Sequence, residues 1–117
     1  MPGGPIDPRA DPEALFAGYT TGCGNIVRVK GCSPETAAPR PKRGFDFVFI
    51  DGDHLSPGFD RDVEFYFKNL AAGGILMGDD YDPINWPDIV RFLGKFSKQT
   101  RCTVKRRGDK LWEILLP

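Results

Sequence analysis

Residues 45–81 read FDFVFIDGDHLSPGFDRDVEFYFKNLAAGGILMGDDY, and the pattern of this stretch decides the fold. From Phe45 to Ile50 every position is apolar except Asp46. Strands read that way when helices cover both faces of a parallel sheet. Phe59, Val63, Phe67 and Leu70 are spaced to form one buried stripe, which predicts a helix over 57–72. Gly73-Gly74 then ends the helix, and Ile75 to Gly78 opens a second buried strand. Parallel strands are therefore expected near 45–51 and 74–79.

The pattern continues on both sides. Downstream, Ile89, Val90, Leu93 and Phe96 predict a helix from about Pro87 to Lys98. Cys102–Arg107, a Gly108-Asp109 turn and Leu111–Leu115 then predict an antiparallel hairpin. Upstream, residues 1–10 (MPGGPIDPRA) read as a loose arm, and residues 11–117 as the domain. Asp11-Pro12-Glu13 starts a short helix through Leu15 and Phe16 that ends near Gly18 to Gly22. Ile26, Val27 and Val29 predict a strand over 25–30, placed beside strand 45–51. Cys32 to Gly44 carries three prolines and has room for at most one helical turn. The order of elements predicts an α/β fold with a mostly parallel sheet and a C-terminal antiparallel hairpin.

A chain of 117 residues is one domain or a piece of one. Sixteen basic residues balance sixteen acidic ones, so net charge recruits neither nucleic acid nor membrane. Lys95, Lys98, Arg101, Lys105, Arg106, Arg107 and Lys110 form a basic run whose single interleaved aromatic, Phe96, belongs to the apolar stripe of the predicted helix. Such a run keeps a helix face and a hairpin edge soluble. No apolar run approaches the roughly 20 residues of a membrane span, and the N-terminus lacks a signal-peptide pattern. Cys23, Cys32 and Cys102 lack CxxC spacing, which fits a reduced, cytoplasmic protein.

Both strands end in carboxylates, Asp51-Gly52-Asp53-His54 and Asp79-Asp80-Tyr81-Asp82. Ligands of open α/β sheets bind outside the carboxyl ends of strands. Asp51, Asp79 and Asp80 are therefore expected to share one space, where their mutual repulsion calls for a cation or a proton. Mg²⁺ suits such a set because it takes oxygen ligands and keeps waters that a substrate oxygen can displace. The plainer alternative is that Asp and Gly merely terminate strands and cap the next helix. His54, the one histidine, could move a proton, ligate a metal or simply be solvated. Tyr81 and Trp86 could wall a substrate pocket or belong to the core.

With its IDGDH strand end, its L-x-x-G-G and its GDDY, the stretch resembles the class I S-adenosylmethionine-dependent methyltransferases, in particular small-molecule O-methyltransferases. The likeness covers about residues 12–116 and implies the C-terminal part of a three-layer, Rossmann-like sandwich. It implies Mg²⁺ ligands at Asp51, Asp79 and Asp80, and a general base at Asp53 with His54 beside it. In GNIVRVKGCSPETAA, Cys32 and Ser33 stand at the family's cofactor-contacting G-D-S, with Cys32 in place of the acid. The Gly-rich loop after the family's first strand and the acid after its second have no counterpart here. Two functions are open. One is methyl transfer to a small-molecule hydroxyl, with the cofactor half supplied from elsewhere. The other is an inactive binding or oligomerisation module that binds S-adenosylmethionine poorly. The apolar edge of Phe45 to Ile50 predicts a homodimer, and Phe65 is expected to be exposed.

Overall fold

A four-stranded sheet in the order β1-β2-β4-β3 organises the chain. The computed structural model describes residues 11–26, 29, 31–37 and 42–117. Helix α1 spans Pro12–Thr20, and a single 3-10 turn spans Glu35–Ala37. Then follow β1 (Phe45–Ile50), α2 (Gly58–Lys68), β2 (Leu70–Gly78), α3 (Pro87–Thr100), β3 (Thr103–Arg107) and β4 (Leu111–Leu115). Strands β1 and β2 are parallel, whereas β4 pairs antiparallel with both β2 and β3. This is the α/β fold expected, a truncated Rossmann-like sheet closed by a reversed hairpin. Among the described residues, however, the sheet is mixed and not mostly parallel, with one parallel pair of three, and the long helices expected on both faces lie on one. No helix among the described residues is long and apolar enough to cross a membrane.

Alternation along the strands places the core. In β1, Val48 and Ile50 are buried while Phe47 and Phe49 are 57% and 44% exposed. Successive strand residues point to opposite faces, so one face of the sheet is packed and the other is open among the described residues. Both long helices lie on the packed face. Phe59 of α2 meets Phe92 of α3 and Trp112 of β4 edge to face, at centroid distances of 6.0 and 5.9 Å. Phe67 meets Phe96 in the same way at 4.9 Å. With Val63, Leu76, Ile89 and Leu93 these rings make one continuous core. Truncating Phe59 or Trp112 to alanine should cost about 3–5 kcal/mol each.

The helix after β1 is shorter than its spacing predicts. It ends at Lys68, not Ala72, and β2 begins at Leu70, not at 74 or 75. Asn69 stops it: its side-chain amide and its backbone N–H both donate to the Phe65 carbonyl, at 2.8 and 3.2 Å. Its own carbonyl accepts the Phe45 N–H at 2.8 Å, which draws the chain into the sheet. Phe45 lies opposite Leu70 but Phe47 lies opposite Ile75, so 71–74 bulge from the ladder. Gly73, at φ +77°, supplies the positive φ that the bulge needs. The Gly-Gly pair is thus a bulge inside a strand and not a helix stop. Phe65 is also corrected. It is half-buried, with its ring edge-on to Tyr66 at 5.0 Å.

Upstream, Asn25, Ile26 and Val29 are not in a strand, and Val27, Arg28 and Lys30 lie outside the described residues, as does the arm 1–10. The expected strand over 25–30 is not found in what is described. Apolar alternation forms a strand only where a neighbour offers hydrogen bonds, and among the described residues β1 pairs on one side, with β2.

Candidate functional site

The parallel strands β1 and β2 bring their carboxyl ends together, and two of the three expected carboxylates meet there. Ligand atoms of Asp51, His54 and Asp80 lie within 4.8 Å of one another. Among the described residues they form the one group of three or more acidic, Cys or His side chains so placed. His54 Nε2 lies 2.5 Å from Asp80 Oδ2 and 3.8 Å from Asp51 Oδ1. The side chains of His54 and Asp80 are about three-quarters covered, whereas Asp51 is 57% exposed. The Trp86 ring packs on the imidazole at 4.4 Å, tilted by 38°.

Asp79, expected as the third carboxylate, is not in the cluster. Its Oδ1 accepts the N–H of Asp80 at 2.7 Å. Asp80 is left-handed, at φ +63°, so consecutive acids aim their side chains differently. The Asp79 carbonyl accepts the Trp112 indole N–H at 3.0 Å, and the Tyr81 N–H donates to the Lys110 carbonyl at 2.8 Å. Hairpin residues thus hold the turn on both sides. Further along, the Asp82 carboxylate accepts hydrogen bonds from Asn85 and from the Ile84 N–H. These bonds, those of Asn85 foremost, hold its pKa below the ordinary value.

Asp53 folds back on its own loop, its Oδ1 accepting the Leu55 N–H at 3.0 Å in an Asx turn. The Cys32 thiol is exposed, and the Cys32 carbonyl accepts both the N–H and the hydroxyl of Thr36. Ser33 is tied to α2: its hydroxyl donates to Asp62 Oδ1 at 2.8 Å and lies 2.8 Å from the Tyr66 hydroxyl. Asp62 is a functional candidate that the sequence reading missed. It is 4% exposed, and burial, the largest influence, raises its pKa against the opposing Ser33 hydrogen bond. The available signal was an acid three residues after Phe59 on an otherwise apolar helix face.

A cavity of about 390 Å³ runs along the outer edge of β1, lined by Ser33, Phe47, Phe49, Asp51, Asp62 and Tyr66 among others. Asp51 therefore belongs both to the cavity and to the His54 cluster. For a divalent cation the donor set fits: two carboxylates and one imidazole that can point into a shared space. The nitrogen donor moves the preference away from Mg²⁺, which favours oxygen, and toward ions such as Mn²⁺ or Zn²⁺. Ser33, one of the two residues that the family resemblance puts at the cofactor, is engaged by Asp62 and Tyr66, and no described strand flanks the outer edge of β1.

Comparison with known proteins agrees with the fold. An uncharacterized protein of Acanthamoeba polyphaga mimivirus is 36% identical over 53 residues, which cover 44% of this chain and 24% of that protein. The chain thus spans about a quarter of the length of this relative. No solved structure matches. A family model described as a methyltransferase domain matches residues 5–81, more than half of the chain, and takes in β1, α2, β2 and the acids that follow each strand. The chain belongs to this methyltransferase-domain family.

Proposed function

We propose that the chain forms the acceptor side of a methyltransferase domain, and that its acceptor is a small molecule bearing a hydroxyl group. The observation that carries this is the meeting of Asp51, His54 and Asp80 where two parallel strands end, beside a cavity that Asp51 also lines. These three side chains would hold a divalent cation, which when bound supplies Lewis acidity toward the acceptor oxygen. His54, bonded to Asp80, has no ring nitrogen left for the hydroxyl proton once it also holds the cation, so that proton falls to Asp53, one residue away, through the oxygen that Leu55 does not engage. Binding of the methyl donor falls to residues beyond these, in a further segment or a partner chain.

Calorimetric titration of the purified chain with Mn²⁺ and with Mg²⁺ tests the cation site. The expected result is binding of Mn²⁺ in preference to Mg²⁺, lost in Asp51→Asn and in His54→Ala. Absence of binding by either ion would remove the metal from the reading. Titration with S-adenosylmethionine tests the division of labour. Weak binding is expected, and micromolar affinity would show that this chain builds its own donor pocket.

One feature favours a second reading, a module that associates through the sheet. The edge of β1 carries no described strand, and Phe47, Phe49 and Ile75 are 57%, 44% and 40% exposed on the open face. Exposed apolar surface of this kind marks a contact site, and a second copy of the chain is the simplest occupant.

A further inference from the structure

Of the three acids expected to share a cation, Asp79 is the one whose carboxylate turns away from the cluster and onto the backbone. We propose that Asp79 is a positioning residue, acting through Asp80 and not as a ligand. The inference rests on the proposed reading of the Asp51–His54–Asp80 cluster. Asp80 adopts φ +63°, a conformation that side chains other than glycine take up infrequently and that asparagine and aspartate tolerate best. A left-handed residue persists when its surroundings over-determine it. Here they do so at three points. Asp79 Oδ1 holds the Asp80 N–H at 2.7 Å, Trp112 holds the Asp79 carbonyl at 3.0 Å, and the Lys110 carbonyl holds the Tyr81 N–H at 2.8 Å.

The consequence is directional. In an ordinary extended strand end, Asp79 and Asp80 would alternate across the sheet. With Asp80 left-handed, its carboxylate instead reaches His54 Nε2 at 2.5 Å. A carboxylate accepts hydrogen bonds, so Nε2 carries the proton and the imidazole orientation is fixed. Asp79 therefore sets where His54 points without touching it, the role that outer hydrogen-bond partners play for metal-binding histidines. A ligand role would require its negative charge. A positioning role requires only a side-chain oxygen that can accept the Asp80 N–H, which asparagine also provides.

The test uses the full chain without added metal, with ¹⁵N-labelled histidine; His54 is the single histidine, so its signals need no assignment. A hydrogen bond to Asp80 shields the Nε2 proton from exchange and gives a low-field imidazole N–H resonance. The expected result is that this resonance is present in wild type and in Asp79→Asn but absent in Asp79→Ala. If the alanine variant does not fold, the asparagine variant decides, because it retains the acceptor oxygen and removes the charge. Loss of the resonance in Asp79→Asn would overturn the proposal, as would its survival in a folded Asp79→Ala or its absence in wild type. The second readout is Mn²⁺ affinity, expected to fall about 10–100-fold in Asp79→Ala and much less in Asp79→Asn. A wild-type chain that shows the resonance but binds no Mn²⁺ would refute the metal reading while supporting the positioning role.

Discussion

Replacing Gly78 with alanine tests how closely the core and the site are joined. A Cβ added at Gly78 would lie 2.6 Å from Trp112 Cε2 on one side and 2.7 Å from the Ile50 carbonyl oxygen on the other. Neither neighbour can give way easily. Trp112 is fully buried, and Ile50 is the register partner of Gly78 in the β1–β2 ladder. Overpacking of this kind costs roughly 1–3 kcal/mol, and two rigid neighbours argue for the upper end. Alanine recovers roughly 0.5–1 kcal/mol by reducing the freedom of the unfolded chain. The net loss should be about 2 kcal/mol, or a drop in Tm of roughly 8 °C for a domain of this size. Thermal unfolding followed by circular dichroism measures it. Trp112→Phe should relieve the clash, so the double variant should be less destabilised than the sum of the singles. An unchanged or raised Tm in Gly78→Ala would refute the argument, because it would mean that the indole does not lie over the strand.

Two further outcomes follow from Asp62 and from the open edge of β1. Because the folded-state pKa of Asp62 is raised above 3.8, its stabilising contribution is complete below that value and is lost as pH rises through the folded pKa. Urea unfolding at a series of pH values should show this loss in wild type and a flatter profile in Asp62→Asn; identical slopes would sink the idea. Sedimentation equilibrium at micromolar concentration should show a dimer that Phe47→Lys converts to monomer. A wild-type species at 13.0 kDa would show that the edge is not an interface between copies.

Where structure is set locally, the sequence was readable. Strand β1, helix α3 with Pro87 in its first turn, and the hairpin around Gly108 all fall within a residue or two of their expected places. The misreading at 69–74 has a different cause. Leu-Ala-Ala-Gly-Gly has no local preference for a strand, and its conformation comes from pairing with Phe45, a partner distant in sequence. The same division holds in the site. Asp51 and Asp80 could be found because acids at the ends of consecutive parallel strands must be near neighbours. The exchange of Asp79 for His54 could not, since it depends on the sign of one φ angle. Asp62 was hidden for a third reason: a buried carboxylate on an apolar helix face resembles a surface acid until its partner Ser33, 29 residues earlier, is in place.

The hairpin bears on what this chain can do by itself. A terminal β-ribbon at the edge of a sheet looks expendable, yet Trp112 and Lys110 supply the hydrogen bonds that fix the turn on either side of Asp80. The same indole is a fully buried core ring against Phe59. The geometry of His54 and Asp80 is thus secured from the β4 side of β2, by residues that this chain contains. The other flank, beyond β1, is where the cavity lies and where no described strand completes the sheet. Under the proposed reading, the acceptor binds where the cavity and the cluster meet at Asp51, and donor binding falls to residues beyond these. The acceptor side can then be fully formed while the donor side waits for other residues. A chain that binds Mn²⁺ and shows the shielded imidazole proton, yet binds S-adenosylmethionine only weakly, is what this separation requires.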